Sequence, residues 1–595
     1  MSSFFLIETL KRPLSAPFLL IVHFILLVVI IGKLIKEIYE TQIKQLNNLA
    51  NDERQKKLKV IFIAFVVYIL SAFPLFYKMT EIRSTGHEDD TKSVISAFMI
   101  KKLGYDSLGK ILPYWPEFHL KYHGEIVYAE GMRATPLYIQ ALTQLIAPPG
   151  HFSLRLEVTS LVFLASLVIV FIFYLLTEEI TTAMFCGALF NLLPWSISLA
   201  RVSSDYSCYC FIASCIILSL FYLIKYKNPV GFIFYLTSLS LTFVCYAAGL
   251  LLSALCTTVV PFIIARKKEY KKLGIALFIS GLLILGLLFD EFHNEEGFKW
   301  NVSRAENAQG LKGVQAFNFN QLSETFIKKT NFYTANYLSF LMPQFLFMTG
   351  DSNYRHNTQF GGQLHTTLFI AFYLGLFYLI EMGLKDFKFK ILLTYLAIAI
   401  IPAAICEEGA LNAITKLPTH AIRAACILPP IVILCMFGLK MIFKKNKALF
   451  FIYLAAILIN TYYFYNDFYA VYPKRLGNAW VNDHGMQFVS RKAIDIILKN
   501  PEKKLFVNAS LLTIPYYNMD RLTPKDIFFG TGILSNAYDY NRRGFADIDP
   551  GDLIAIQEPF NYSELKKGFK YILRIRNPYL ANNEYGASLL EIVGE

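Results

Sequence analysis

The sequence predicts an all-α polytopic membrane protein of about twelve transmembrane helices, followed by a small C-terminal α/β domain. Three observations lead there. Hydrophobic residues make up 55% of the 595-residue chain, charged residues only 17%, and the mean hydropathy is +0.43. A water-soluble protein of that composition would expose more apolar surface than water tolerates. The Lys and Arg residues, which give a net charge of +13, are not pooled on one stretch. They fall in short runs between apolar segments, at Arg54 to Lys59, Arg266 to Lys272, Lys385 to Lys390 and Lys440 to Lys447. That is the positive-inside pattern of a multi-span protein, and it argues against a nucleic-acid-binding surface. Beyond about residue 466 the long apolar runs stop and the composition becomes that of a soluble domain.

Taken in order, apolar runs long enough to span a bilayer lie near 14–36, 59–78, 152–176, 178–197, 206–226, 229–246, 248–265, 273–290, 363–384, 390–406, 424–443 and 448–465. The first lacks a small-residue cleavage site and is expected to remain as a helix rather than be removed as a signal peptide. Residues 1–58 form an N-terminal helix and basic loop, 59–465 the transmembrane region, and 466–595 the soluble tail. With the basic loop 37–58 inside, alternation places the N-terminus, the loops 79–151 and 291–362, and the tail on the outer side of the cytoplasmic membrane. In the first loop, Ser93 to Leu103 reads as a short amphipathic helix at the interface. The second is long enough to serve as a lid or binding loop. The tail offers a helix from Trp480 to Lys499 and strands at 504–508, 552–557, 570–575 and 588–593, a compact α/β unit. The nine cysteines all lie in or beside apolar segments and read as small packing residues, not a disulfide or metal framework.

The chemistry concentrates at Gly86-His87-Glu88-Asp89-Asp90-Thr91-Lys92, just beyond the second apolar segment. Three consecutive carboxylates beside lipid must sit in water, meet cations or act on something. A solvated loop paired with Lys92, Lys101 or Lys102 is the plain account, and a catalytic base is the functional one. Arg201 and Asp205, four apart, would share a helix face, as an ion pair or as groups that meet a ligand. Arg355, His356, His420 and Arg423 are basic candidates for holding an anion, and a guanidinium offers a planar fork to anionic oxygens. Each could equally reach to lipid headgroups.

Several stretches, in this order, resemble the bacterial glycosyltransferases related to protein O-mannosyltransferases, within the GT-C class of polyprenyl-phosphate-sugar-dependent enzymes. They are the acidic pair after a membrane helix, Tyr105 to Lys110, Thr135-Pro136-Leu137-Tyr138-Ile139, His151 to Leu156, Leu193-Pro194-Trp195-Ser196 with Ala200-Arg201-Val202, Phe345 to Asn357, and Pro418 to Arg423. The likeness covers most of residues 60–465. It implies a GT-C-like membrane domain and an inverting transfer from a polyprenyl-phosphate-linked sugar to a protein, lipid or glycan acceptor. Asp89 falls where the family has its base, with Asp90 and Asp205 as further catalytic carboxylates. Glu88, Asp351 and Tyr138 would contact substrate. Arg133 stands beside the place where a Lys is common before the Pro-Leu-Tyr motif, and with Arg201, Arg355, His356, His420 and Arg423 it would hold the donor phosphate. No cofactor is required; were a divalent ion used, the oxygen-rich acidic set would suit magnesium or manganese. A twelve-helix secondary transporter is the rival class. Its charges would sit near the bilayer midplane in repeated, broken helices, whereas these apolar segments are almost free of charge and show no repeat.

Overall fold

The computed structural model describes residues 15–82, 88–112, 116–123, 125–131, 133–292, 331–351, 353, 356–405, 419–473, 486–508, 512–539, 548–557, 565, 568–576 and 585–593. Most of the expected lid 291–362, the histidine His87 and Cys406 lie outside them. The chain divides into two compact units. One comprises Phe18–Met79 and Val158–Asp467; the other comprises Met1–Pro17, Thr80–Glu157 and Phe468–Glu595.

The first is a helical membrane unit. Among the described residues ten helices are long and apolar enough to cross a bilayer. Together with the two shorter apolar helices Ile180–Leu192 and Pro229–Phe243, they account for every expected span. Helix Ser204–Tyr226 is the centre: its most apolar stretch is entirely buried. Helices Ala16–Asn47, Lys268–Phe289 and Lys447–Val471 leave most of theirs uncovered, through side chains such as Val28, Leu283 and Ile452. Uncovered apolar faces of this kind are what hydrocarbon contact allows and water does not.

Lipid gives helices no hydrophobic reason to associate, so close backbone approach and polar contacts carry the packing. Helices Phe369–Lys385 and Leu428–Lys445 cross where each presents a glycine. A Cβ on Gly375 would lie 1.9 Å from the Leu434 carbonyl oxygen, and one on Gly438 would lie 1.8 Å from that of Ala371. Elsewhere Asn191 Nδ2 donates to Ser71 Oγ at 3.0 Å, and the Tyr68 and Ser166 hydroxyls meet at 3.1 Å.

One expected helix is interrupted. The run 178–197 breaks at Leu193, whose ψ of 143° is extended, before the short helix Pro194–Leu199. Leu193 precedes a proline, and such residues are driven out of the helical region. A second turn at residues 200–203 separates Arg201 from helix Ser204–Tyr226. The shared helical face expected for Arg201 and Asp205 is therefore not formed.

The second unit carries the sheets. Strands β1 (Glu117–Tyr122) and β2 (Glu125–Gly131) form an antiparallel hairpin. At its tip His123, with φ of 47°, donates its N–H to the Leu534 carbonyl at 3.0 Å and packs its ring on Tyr538. The C-terminal residues supply β3 (Leu505–Asn508), β4 (Ala537–Asp539), β5 (Leu553–Gln557), β6 (Phe569–Arg576) and β7 (Tyr585–Ile592), in spatial order β4-β3-β5-β7-β6. β3 pairs in parallel with β4 and β5, while β7 is antiparallel to β5 and β6. Helix Met486–Lys499 covers the sheet. Phe506, Ile554, Ile556, Leu590 and Ile592 form its core. The α/β character expected of the tail is present, with one strand more than the sequence suggested.

The interfacial helix is also longer than expected. It runs Glu88–Leu103, and Val94 to Ile100 are buried on every face, so it is a core helix of its unit rather than a surface one.

The glycine crossing makes a direct prediction. Gly438→Val should force the two helices apart and destabilise the membrane unit by about 1–3 kcal/mol, the usual cost of overpacking. It should be read as a lowered unfolding midpoint in detergent. The substitution Ile452→Val, at an exposed apolar side chain, is the control that leaves the midpoint in place.

Candidate functional site

The strongest constellation lies in the membrane unit, between its spans. After the turn Gln344–Met348, Gly350 adopts a φ of 65°, and a Cβ there would fall 2.0 Å from Asn357 Nδ2. Only glycine meets both conditions. The next residue, Asp351, is buried, and its Oδ1 accepts the Asn353 N–H at 2.9 Å, an Asx turn. Its other oxygen, Oδ2, accepts from His356 Nδ1 and from the Ala421 N–H, each at 2.8 Å. One carboxylate thus joins two segments far apart in sequence. The Asp351 carbonyl in turn accepts from Gln359 Nε2 at 2.6 Å.

That clamp brings His356 and His420 together, with ring centroids 4.5 Å apart and planes 42° from each other. Burial, the largest influence on the Asp351 carboxyl, pushes its pKa up. The charge and hydrogen bond of His356, the charge of His420 and the Asn353 N–H outweigh it and hold the carboxyl below the ordinary carboxylate range. Asp351 is therefore ionised at neutral pH. Arg423 follows three residues after His420, in the turn 421–424, and is half-buried.

Among the described residues, Asp351, His356 and His420 are also the group whose ligating atoms come within 4.8 Å of one another, as a metal site requires. Two imidazoles with one carboxylate suit a borderline ion such as zinc better than the magnesium or manganese expected of an acidic set.

The other expected residues are described unit by unit. Arg201 is fully buried and directs its guanidinium at backbone: Nη1 donates to the Leu75 carbonyl at 2.7 Å and Nη2 to that of Tyr77 at 2.9 Å. It closes the carbonyl end of the short helix Phe73–Phe76, a structural duty that the spacing to Asp205 did not suggest. Asp205 sits in the first turn of helix Ser204–Tyr226, half-buried, where its charge complements the helix dipole. In the other unit, Arg133 occupies the position before helix Ala134–Ile146 and Tyr138 is fully buried. Glu88, Asp89 and Asp90 form the first turn of helix Glu88–Leu103 rather than a loop, again the end that favours carboxylates. Their side chains, and all of Arg355, lie outside the described residues.

Reasoning from sequence missed Asn353, Gln359 and the Ala421 N–H. The Asp-x-Asn spacing is a recognisable Asx-turn signal, whereas a backbone donor supplied seventy residues away by the fold leaves no sequence trace.

No protein-family model matches the chain, and no curated protein matches it. Among solved structures, ArnT from Cupriavidus metallidurans bound to undecaprenyl phosphate is similar over 90% of this chain and 98% of that one, at 11% identity and a TM-score of 0.52. Apo ArnT from the same organism is similar over 91% and 98%, at 10% identity and a TM-score of 0.49. The oligosaccharyltransferase AglB from Archaeoglobus fulgidus, in complex with an inhibitory peptide and a dolichol-phosphate, is similar over 79% of this chain and 64% of that one, at 11% identity and a TM-score of 0.45. The chain has the GT-C fold expected from its motifs.

Two predictions test the clamp. Asp351→Ala leaves the Asn353 and Ala421 N–H groups and the His356 ring without their acceptor and should cost about 1–3 kcal/mol, the usual penalty for buried donors left unsatisfied. Since folding depresses the Asp351 pKa, the wild-type contribution is complete at neutral pH and is lost only as pH falls below the ordinary carboxylate range, through the lowered folded value. The gap between wild-type and Asp351→Ala unfolding midpoints should therefore be constant from pH 8 to 5 as far as this carboxyl is concerned, and close below about pH 4. Gly350→Ala should loosen the same loop, detected as increased amide exchange at 351–357.

Proposed function

We propose that this protein is an integral-membrane glycosyltransferase that moves a sugar from a polyprenyl-phosphate donor to an acceptor hydroxyl at the outer face of the cytoplasmic membrane. The observation that carries the reading is the His356–His420 pair held by the buried Asp351, on a fold shared with a structure that binds undecaprenyl phosphate. Paired imidazoles, whose ring N–H groups can donate, followed by the guanidinium of Arg423, form a partly dehydrated cluster of donors of the kind that stabilises a departing phosphate. Arg355 and Arg133 are further candidates for the same duty; Arg201 is weaker, because its described hydrogen bonds go to backbone carbonyls.

In this reaction the acceptor oxygen attacks the anomeric carbon as the carbon–oxygen bond to phosphate breaks. The proton of the acceptor hydroxyl passes to Asp89, and the bonding pair leaves with polyprenyl phosphate. One displacement inverts the anomeric centre. Asp90 and Asp205 would orient the acceptor, and Glu88, Asp351 and Tyr138 are the substrate-side candidates, Asp351 acting through His356. The acceptor is a protein, lipid or glycan hydroxyl. The chain's own cations suffice for the phosphate; a zinc-like ion at Asp351, His356 and His420 is the alternative that the geometry of those three residues favours.

The test is turnover of polyprenyl-phosphate sugars by purified protein in detergent, with no ion gradient. Wild type should release polyprenyl phosphate. Asp89→Asn should bind donor yet lose about 10²–10⁴-fold in rate, the usual contribution of a general base. His356→Gln should chiefly weaken donor binding. Absence of turnover across a panel of donor sugars would sink the reading and favour a transporter. Activity that survives chelators keeps the phosphate with the side chains, whereas loss restored by zinc assigns an ion to the cluster.

A further inference from the structure

The sheet-bearing unit contains a cleft lined by residues that the reaction above does not use. A cleft of about 740 Å³ opens between the end of helix Glu88–Leu103, the Pro148-Pro149-Gly150 turn and the C-terminal segment from Gln487 to Pro524. Ligand pockets commonly occupy about 300–1,000 Å³. Lys101, Lys102 and Arg491 line it against the single carboxylate of Asp520. Both Asp520 oxygens are already taken by Arg491 Nη2, each at 2.9 Å, so the two lysines supply charge that this carboxylate does not offset.

Two independent features point the same way. Lys101 donates to the Gln144 carbonyl, and burial, followed by the neighbouring charge of Lys102, lowers its pKa. The half-buried Lys101 ammonium, with the exposed Lys102 charge beside it, is stabilised by an anion placed near it. The cleft also reaches the first turn of the 27-residue helix His151–Thr177, whose N-terminal N–H groups carry partial positive charge. At Gly150, just before that turn, a Cβ would meet only open space. Lysines in the last turn of Glu88–Leu103 complement that helix's own dipole, but this does not require a cleft walled by another helix start and by two tyrosines.

We propose that this cleft binds a phosphate-bearing ligand, with the phosphate against Lys101, Lys102 and the start of helix His151–Thr177, and the rest of the molecule against the half-buried ring of Tyr517. Phosphate is favoured over a simple carboxylate because it offers three acceptor oxygens to several donors. That ring gives flat apolar surface to whatever the phosphate is attached to. The proposal stands on the cleft alone and survives failure of the glycosyl-transfer reading.

The ligand's source is either a phospholipid headgroup or a soluble phosphate ester. Full-length protein in neutral detergent should be titrated with glucose 6-phosphate by calorimetry. In parallel it should be reconstituted into nanodiscs of phosphatidylcholine with and without phosphatidylglycerol and its unfolding midpoint measured. The variants are Lys101→Gln/Lys102→Gln and, as the milder change at an exposed side chain, Lys102→Glu. Saturable binding of glucose 6-phosphate, weakened at least about tenfold in either variant, supports the site with a soluble ligand. A midpoint raised by phosphatidylglycerol in wild type and not in the variants supports it with a lipid ligand. Responses to both probes that are identical in wild type and folded variants, or no response to either, would overturn it.

Discussion

A backbone placed in hydrocarbon has no water to satisfy it, and most of the polar side chains in the membrane unit can be understood from that constraint. Helices that break within or beside the apolar region expose carbonyls, and specific side chains meet them. Arg201 takes the carbonyls of Leu75 and Tyr77. Asn336 donates to the Ala404 carbonyl at 2.6 Å, and the His365 ring nitrogen Nε2 lies 3.0 Å from that of Leu192, where the fourth expected helix stops. Breaks that are satisfied in this way hold irregular backbone at membrane depth, and irregular backbone is what lets loops carry chemistry.

Asp351 is the same principle applied to charge. A buried carboxylate is tolerable because three donors reach it, and two of the three come from outside its own turn. The anion then holds His356 beside His420, so that the cost of burying one charge is recovered in the positioning of others. Whatever the pair binds, its geometry is set by hydrogen bonds formed before any ligand arrives.

The spans were legible because each is a long apolar run, and runs survive ignorance of their partners. Boundaries were less so. Leu193 ends a helix that apolarity alone would continue, although the following proline announced the break. Strand β4 is only Ala537–Asp539, too short to show alternation, and it exists because β3 offers a parallel edge. Of the site, the residue types in the Asp351 and His420 stretches could be read, but their meeting could not. Nor could the burial of Arg201, whose spacing to Asp205 pointed to a helix that the turn at 200–203 prevents.

The sheet has one further property. Among the described residues strand β6 stands last in the order, and such edges invite a second chain to add a strand. Along it lie Lys570, Arg574 and Arg576. Lys570 is drawn back across the sheet to Glu591 at 2.7 Å, while β-bulge irregularities between Tyr571 and Leu573 and at Ile575 spoil the straight template that a neighbour would need. Like charges would face one another if two copies met along this border, so crowding on a membrane should not zip these domains into fibrils.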